Sequence, residues 1–170
     1  MKLYHGGLHT VESPRIIKSE LGRDFGFAFY TTDIREQAER WALRRKRAAV
    51  HNGDLSARAV VSVFQFDESS ARANLRFRDF PEVSTDWLDL VVDCRSDLDF
   101  RHDFDIVTGK IANDNVGETI AYVLAGVMRK EDALERLKFQ KINRQLAFCT
   151  EMALSYQTFV SAYEVEEEQS

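Results

Sequence analysis

Three short blocks of sequence contain the residues best suited to hold a ligand. In order along the chain they are Leu3–Gly6, Asp24–Thr32 and Asn143–Thr150. The first block ends in a ring that donates or accepts hydrogen bonds and a glycine that lets the backbone approach a ligand closely. His5 after a strand and Tyr30 within an aromatic strand are structural residues by default. The functional signal is therefore the order of the three blocks along the chain. No single residue is enough to indicate a function.

The sequence lacks the motifs of several common chemistries. It contains no GxxxxGK[ST] phosphate-binding loop, no HExxH and no GxSxG. The histidines are scattered at His5, His9, His51 and His102. Because these positions lack the spacing of metal ligands, we expect no metal site. Cys94 and Cys149 form no CxxC pair, which predicts reduced thiols in a cytoplasmic protein.

Length and composition predict one folded domain. The chain has 170 residues, of which 44% are hydrophobic and 11% aromatic, enough to bury one complete core. We expect a single domain over residues 1–165 and a frayed acidic tail over residues 166–170. No apolar run approaches the ~20 residues of a membrane span, so we expect no membrane segment. The N-terminal residues also lack the apolar core of a signal peptide.

The distribution of charge leaves one question open. The net charge of −5 argues against a protein that coats nucleic acid generally. Arg44–Arg47 is nevertheless an unbroken basic run. Cations suit the C-terminal end of a helix, so a solvated helix end is the plainer interpretation. A local patch for nucleic acid or an acidic partner is the alternative.

Hydrophobic periodicity predicts strands and helices without regular βαβ repetition, which indicates an α+β domain. Strands are predicted over residues 2–4, 26–32, 59–66, 105–111, 145–150 and 158–165. Helices are predicted from residue 33 onwards and over residues 84–94, 115–127 and 130–139, with a break near Gly126. After the first strand, Gly6 and Gly7 predict a tight turn or a close approach of the backbone to a ligand.

The first helix has the clearest start signal. Glu36 follows Asp33 at the spacing of a capping box, which predicts Asp33 as the N-cap. Its apolar positions at helical spacing are Ile34, Ala38, Trp41, Ala42 and Leu43. This stripe predicts that Trp41 lies in the core.

The three blocks and their flanking elements resemble a bacterial family of unknown function, DUF3990. The family patterns that this chain resembles are LYHGS, DFGxGFYxT with a following DxxQAxxWA, WLD, DxVxGxxAND and QxxFxT. The resemblance covers nearly all of residues 2–165. The order of the blocks also resembles the ADP-ribosyltransferase superfamily in its His-Tyr-Glu branch, that of the poly-ADP-ribose polymerases. This resemblance implies a split β-sandwich with helices packed around it and a cleft for NAD.

The resemblance also implies roles for individual residues. His5 would hydrogen-bond a ribose hydroxyl in the adenosine half of NAD, and the Gly6 backbone would pair with the nicotinamide carboxamide. Tyr30 would stack on the nicotinamide ring, and Gly26 and Thr31 would complete the binding site. NAD would be a co-substrate, with His5 and Tyr30 serving the reaction and no metal involved.

The third block departs from the family pattern, because Gln145 stands where the branch has a catalytic Glu. We expect Gln145 to be the third catalytic residue. A glutamine can hydrogen-bond the ribose 2′-hydroxyl but offers no negative charge to an oxocarbenium-like transition state. Glu151, Asp114 or Asp105 would then supply the missing carboxylate, and the sequence leaves that choice open.

The resemblance implies a mono-ADP-ribosyltransferase that modifies a protein or nucleic acid. Such a protein would be the toxin of a bacterial toxin–antitoxin or phage-defence system, with a small antitoxin as its partner. Two alternatives stay open. With water as acceptor the same cleft would make an NAD glycohydrolase. Without an effective carboxylate the chain would be a non-catalytic relic of the fold that binds ADP-ribose or a protein.

Overall fold

The computed structural model of the chain describes residues 1–18, 24–111, 114–138 and 143–167. These ranges form an α+β fold of seven strands and six helices. The strands are β1 Lys2–Gly7, β2 Phe29–Thr31, β3 Val60–Phe66, β4 Phe77–Asp79, β5 Ile106–Ile111, β6 Asn143–Phe148 and β7 Gln157–Glu164. The helices are α1 Arg35–His51, α2 Glu68–Asn74, α3 Thr85–Ser96, α4 Asp114–Leu124, α5 Lys130–Lys138 and α6 Glu151–Leu154.

Two sheets form the centre of the fold. The first has the strand order β1-β3-β7 and is antiparallel. The second has the order β2-β6-β5-β4, in which β4 runs parallel to β5 and the other pairs are antiparallel. A backbone bridge joins them: Tyr4 N donates to Thr32 O at 2.8 Å, and Thr32 N donates to Tyr4 O at 3.0 Å. Edge strand β1 of the first sheet therefore meets edge strand β2 of the second.

Three hydrophobic clusters divide the molecule into layers. The cluster between the sheets is rich in aromatic rings and contains Leu3, Phe29, Phe64, Phe66, Leu146 and Phe148. On the far face of the second sheet, helices α3, α4 and α5 bury Trp87, Leu88, Val91, Ile120 and Leu137. The outer face of the first sheet is covered by α1 through Ala38 and Ala42. The layers thus run from α1 through both sheets to the three-helix face.

Most predicted elements are confirmed. Strands β3, β5, β6 and β7 lie close to their predicted bounds. Helix α3 begins as predicted, with Ser84 Oγ accepting a hydrogen bond from Trp87 N at 3.2 Å. Gly126, at φ +69°, follows α4 and separates it from α5. The sequence did not predict α2, β4 and α6, which are too short to show a hydrophobic period.

Some predictions fall at the edges of the described chain. The predicted helix over residues 130–139 ends in Phe139, which lies outside the described residues, as do residues 168–170 of the predicted acidic tail.

Cys94 is buried and Cys149 is half-buried, and both are free thiols. Within the described ranges, no helix is both long enough and apolar enough to cross a membrane.

Three predictions in and after the first two blocks differ from the structure. Strand β1 continues through Gly6 and Gly7, so these residues form no turn. Helix α1 begins at Arg35, and its N-cap Ile34 provides no side-chain bond. Thr32 Oγ1 instead accepts a hydrogen bond from Ile34 N at 3.1 Å, so Asp33 is not the N-cap. The predicted strand over residues 26–32 shortens to Phe29–Thr31.

Helix α1 approaches β1 closely because a glycine and two alanines face each other. A Cβ atom placed on Gly6 would lie 2.2 Å from Ala38 O and 3.1 Å from Ala42 N. At this separation no large side chain fits between the helix and the strand. The side chain of Trp41 therefore lies at the flank, 47% exposed, and its predicted place in the core is wrong.

Substitution of Gly6 tests this packing. Gly6→Ala should lower the free energy of unfolding by about 1–3 kcal/mol, because the new methyl group meets helix backbone that cannot rotate away. Gly7→Ala is the matched control, since its methyl group would meet His5 Nε2 at an ordinary 3.6 Å. Urea denaturation of both variants measures the difference. Equal destabilisation would contradict the packing argument.

Candidate functional site

His5 lies on β1 and faces β2. Its Nδ1 is 2.7 Å from Tyr30 O, and its ring stacks on Phe29 with 4.5 Å between centroids. Because a carbonyl oxygen only accepts, Nδ1 carries the proton, and in the neutral ring Nε2 is an acceptor. Burial lowers the pKa of His5, the bond to Tyr30 partly opposes this, and the charge of Arg45 lowers it further. The structure therefore provides a neutral imidazole with one free acceptor.

Tyr30 uses its hydroxyl group to hold the turn that precedes β2. The hydroxyl donates to Gly26 O at 2.6 Å and accepts from Phe25 N at 3.1 Å. Gly26 has φ +80°, a conformation that favours glycine. Burial raises the pKa of Tyr30 well above its usual value, and the negative charge of Asp24 adds to the rise. The phenol thus stays neutral, and its hydroxyl group is committed to the turn.

Helix α3 and the segment after it hold the same turn from the other side. Arg95 Nε donates to Asp24 Oδ1 at 2.8 Å. His102 Nε2 donates to Phe25 O at 2.9 Å, while its Nδ1 accepts from Phe104 N at 3.2 Å. The second block is therefore fixed by ion pairing and hydrogen bonding at its start. These bonds fix the position of the Tyr30 side chain on β2.

Gln145 lies on β6, on the same face of the second sheet as Tyr30. Tyr30 pairs with Ala147 across the two strands, and side chains two residues apart on a strand share a face. Gln145 is 8% exposed and stands opposite Gly109 of β5. No hydrogen bond of its amide is found among the described residues, and the amide atoms are not sealed from solvent, unlike those of Gln157. An accessible amide of this kind can bind a polar ligand group.

Thr31 and Gly6 have structural surroundings. Thr31 is buried, and its Oγ1 donates to Leu146 O at 3.4 Å, on the opposite face from Tyr30. Gly6 is buried under α1. The structure puts Tyr30 and Gln145 on one face of the second sheet. It does not place the Thr31 side chain on that face. The His5 ring reaches the Tyr30 carbonyl but packs on Phe29, which alternates with Tyr30 and lies on the other face.

The alternative carboxylates lie at the other end of β6 or outside the described side chains. Asp105 is opposite the end of β6, about 13 Å from Gln145 at ~3.3 Å per residue. Its carboxylate accepts from Arg76 N at 2.9 Å, and hydrogen bonds from Arg76 lower its pKa. Glu151 is exposed at the start of α6, beyond the same end. Asp114 begins α4, and its side chain lies outside the described residues.

Two polar side chains near the start of α1 have buried oxygens without partners among the described residues, which the sequence did not indicate. Asp33 Oδ1 and Gln37 Oε1 are buried without a hydrogen-bond partner. Asp33 Oδ2 lies 3.5 Å from Arg144 Nη1, next in sequence to Gln145. In the sequence Asp33 has only a capping signal, and nothing indicates that these oxygens are buried. Side chains alternate along β6, so the Arg144 side chain that Asp33 contacts lies on the face opposite Gln145. The two oxygens are therefore acceptors beside the start of α1 and are separate from the face that Tyr30 and Gln145 share.

Two cavities lie away from these residues. One of about 670 Å³ is lined by Met1, the end of β3, α2 and the start of β7, including Asp67, Glu68, Arg72 and Tyr156. The other, of about 400 Å³, lies beside the C-terminal half of α1. Within the described ranges no three His, Cys, Asp or Glu side chains are grouped as metal ligands. The candidate site is thus defined by its side chains rather than by either cavity.

Removal of the Tyr30 hydroxyl tests its structural role. Tyr30→Phe should lower the free energy of unfolding by about 1–3 kcal/mol, because Gly26 O and Phe25 N lose their partner. Tyr4→Phe is the matched control, since among the described residues the Tyr4 hydroxyl has no hydrogen-bond partner. Thermal denaturation of both variants gives the comparison. A harmless Tyr30→Phe substitution would refute this role.

Comparison with known proteins identifies the family. The family model described as protein of unknown function (DUF3990) matches residues 1–159. No curated protein and no solved structure shows a significant match to the chain. The match extends from β1 through β6 and α6 into β7, and so includes every candidate site residue. The chain belongs to the DUF3990 family.

Proposed function

We propose that this protein is a mono-ADP-ribosyltransferase that uses NAD to modify a macromolecule. The observation that carries the proposal is the amide of Gln145, which makes no hydrogen bond among the described residues and lies on the face that Tyr30 occupies. Such an amide can accept a hydrogen bond from a ligand hydroxyl or donate one to it. Gln145 stands where the resemblance to ADP-ribosyltransferases requires a contact to the ribose 2′-hydroxyl.

The peptide groups of Gly6 support a site for a carboxamide. Tyr4 directs its N–H and C=O to Thr32, away from β3. Alternate residues of an antiparallel strand face the same side, so Gly6 directs its N–H and C=O that way as well. A primary carboxamide offers one donor and one acceptor to such an edge. The nicotinamide carboxamide of NAD fits this arrangement.

The other side chains agree with NAD in their free groups. His5 Nε2 is an acceptor, which suits a ribose hydroxyl. Tyr30 offers a ring face, which suits stacking on nicotinamide and is worth roughly 0.5–1.5 kcal/mol. The proposal includes an ADP-ribosyltransferase-like split β-sandwich, in which β1 and β2 meet at the bridge between Tyr4 and Thr32. NAD would bind at the junction of β1 and β2, with Tyr30 and Gln145 contacting it on the three-helix face of the second sheet and His5 contacting it from β1.

In this reaction the main role of the protein is to position NAD and the acceptor. The bond between the nicotinamide nitrogen and ribose C1′ breaks, nicotinamide leaves, and an acceptor atom bonds to C1′ with loss of a proton. Gln145 gives the reacting sugar a hydrogen-bond dipole without charge. Because Asp105 and Glu151 lie at the far end of β6, neither adds that charge in this structure. We therefore expect slow transfer of single ADP-ribose groups.

The proposal extends to biological context through the family resemblance alone. We propose that the protein is the toxin of a bacterial toxin–antitoxin or phage-defence system and that a small antitoxin protein is its partner. A specific observation favours one other function. The absence of a charged residue at position 145 also suits a non-catalytic module that binds ADP-ribose.

Substitution of Gln145 tests the catalytic assignment. Gln145→Ala should lower NAD cleavage ~10²-fold or more, because a positioned polar contact at the reacting sugar is lost. Gln145→Glu should keep or raise the rate, because it adds a carboxylate near developing positive charge. Release of nicotinamide, followed by mass spectrometry, measures all three proteins.

Gln157→Ala is the matched control for that experiment. Gln157 is also a buried glutamine without a side-chain partner, but it lies on β7 in the other sheet. Its loss should leave NAD cleavage unchanged. Equal activity of wild type and Gln145→Ala would refute the role of Gln145. Activity in Gln145→Glu alone, with NAD raising the melting temperature of wild type, would establish the binding module instead.

The acceptor distinguishes transfer from hydrolysis. We expect isotope-labelled NAD to label a macromolecule in a bacterial lysate only when the protein is added. Purified protein with NAD alone should release little free ADP-ribose, because no acceptor other than water is present. Rapid release without lysate would identify an NAD glycohydrolase. A lack of NAD cleavage in both arms would contradict the transferase.

A further inference from the structure

The outward face of α1 carries a stripe of basic side chains, three of them arginines, in a chain of net charge −5. Arg40, Arg44, Arg47 and His51 are exposed and follow one another at intervals of three or four residues. Residues at this spacing lie on one side of a helix, and each interval is about 4.5–6 Å along the axis. The stripe therefore presents a row of hydrogen-bond donors at regular separation.

Trp41 lies beside this stripe and is the exposed one of the two tryptophans. Its side chain is 47% exposed, whereas Trp87 is fully buried. The guanidinium group of Arg44 is 5.7 Å from the centroid of the Trp41 ring. A flat aromatic ring next to cations is the combination that binds single-stranded nucleic acid, because bases stack on the ring and phosphates meet the cations.

An anion from elsewhere in the chain already occupies one end of the stripe. Arg47 Nε donates to Glu167 Oε1 at 2.8 Å, although the two residues are far apart in sequence. Both residues line the groove of about 400 Å³ beside α1, together with Lys46, Val50 and His51. The groove thus accepts an acidic group and is open enough for a larger one.

We propose that the outward face of α1, formed by Arg40, Trp41, Arg44 and Arg47, binds single-stranded nucleic acid. Phosphates would contact the guanidinium groups, and one base would stack on Trp41. An acidic protein would match the cations but would leave the Trp41 ring without a stacking partner. A duplex hides the faces of its bases. The proposal does not depend on NAD chemistry and stands if the transferase function fails.

A fluorescence titration without NAD tests the proposal. A single-stranded oligothymidylate should quench the emission of Trp41, while buried Trp87 provides a nearly constant background. The single strand should bind about tenfold more tightly than polyglutamate of equal charge. Three contacted phosphates predict a slope of about −2 for the logarithm of affinity against the logarithm of salt concentration. No binding at low salt, or equal binding of polyglutamate, would overturn the proposal.

Charge-reversal variants locate the surface. Arg40→Glu with Arg44→Glu should weaken binding of a labelled oligothymidylate about tenfold or more, measured by anisotropy. Arg129→Glu with Arg136→Glu makes the same change in net charge on the three-helix side, across both sheets from α1, and should have little effect. Equal losses in the two double variants would show a general charge effect and overturn the proposal.

Trp41→Leu separates stacking from charge. This variant should weaken binding of the single strand several-fold and leave the affinity for polyglutamate unchanged. Circular dichroism and thermal denaturation confirm that each variant is folded, which we expect because these side chains lie on the exposed face of α1. If folded Trp41→Leu bound the single strand as tightly as the wild type does, Trp41 would not stack on a base. That result would refute the proposed preference for nucleic acid.

Discussion

The arrangement of the candidate site depends on the hydrogen bonds of one buried residue, Thr32. Its backbone N–H and C=O bridge to Tyr4, its Oγ1 donates to Arg144 O at 2.9 Å, and the same oxygen accepts from Ile34 N. A hydroxyl group can donate and accept at once, so a single side chain ties β6 to the start of α1. Thr32 is 5% exposed, so these bonds do not compete with water.

This network sets the relative positions of residues that are distant in sequence. His5 follows Tyr4, Gln145 follows Arg144, and Asp33 follows Thr32. Each bond of the network therefore fixes the backbone next to one of these polar residues. The face on which a side chain lies is then decided by strand alternation, which puts Tyr30 and Gln145 together. A small shift at the bridge between the sheets would move His5 relative to both.

The sequence predicted the elements whose signals are local. Alternating apolar residues marked β3, and Ser84 marked the start of α3, because both effects act within a few residues. The capping-box signal at Asp33 failed for a long-range reason. Asp33 faces Arg144 instead, and the helix start is satisfied by the Thr32 hydroxyl. The sequence around Asp33 contains no pattern that indicates where β6 lies.

The place of Trp41 shows the same limit. Helical spacing put Trp41 in an apolar stripe, but spacing contains no information on how closely the helix approaches its sheet. Contact between Gly6 and Ala38 brings the two backbones so near that only alanine fits between them. The larger residue is displaced to the flank and remains exposed. The glycine in β1 is the clue to this close approach, but in the sequence it suits a turn or a ligand contact equally well.

The sequence predicts the order of the candidate site residues along the chain but not which residues surround them in the fold. The sequence indicated His5, Tyr30 and Gln145, and the structure puts the last two on one face. The sequence did not indicate that Asp33 and Gln37 have buried oxygens without partners. Strand geometry alone would have separated Glu151 from Gln145, because the intervening residues of β6 are extended. Burial of a polar group is a tertiary property, and no pattern of residue types reports it.

Helix α1 links the state of His5 to the charges on the helix. Burial has the largest effect in lowering the pKa of His5, and the positive charge of Arg45 lowers it further. Both effects keep the ring neutral, so that Nδ1 donates to Tyr30 O and Nε2 stays an acceptor. A protonated ring would donate from both nitrogens and could no longer accept a hydrogen bond from a hydroxyl group. The basic helix therefore does more than expose cations to solvent: packed on β1 through Ala38 and Ala42, it brings positive charge near His5 and so favours the form of the imidazole that can recognise a hydroxyl.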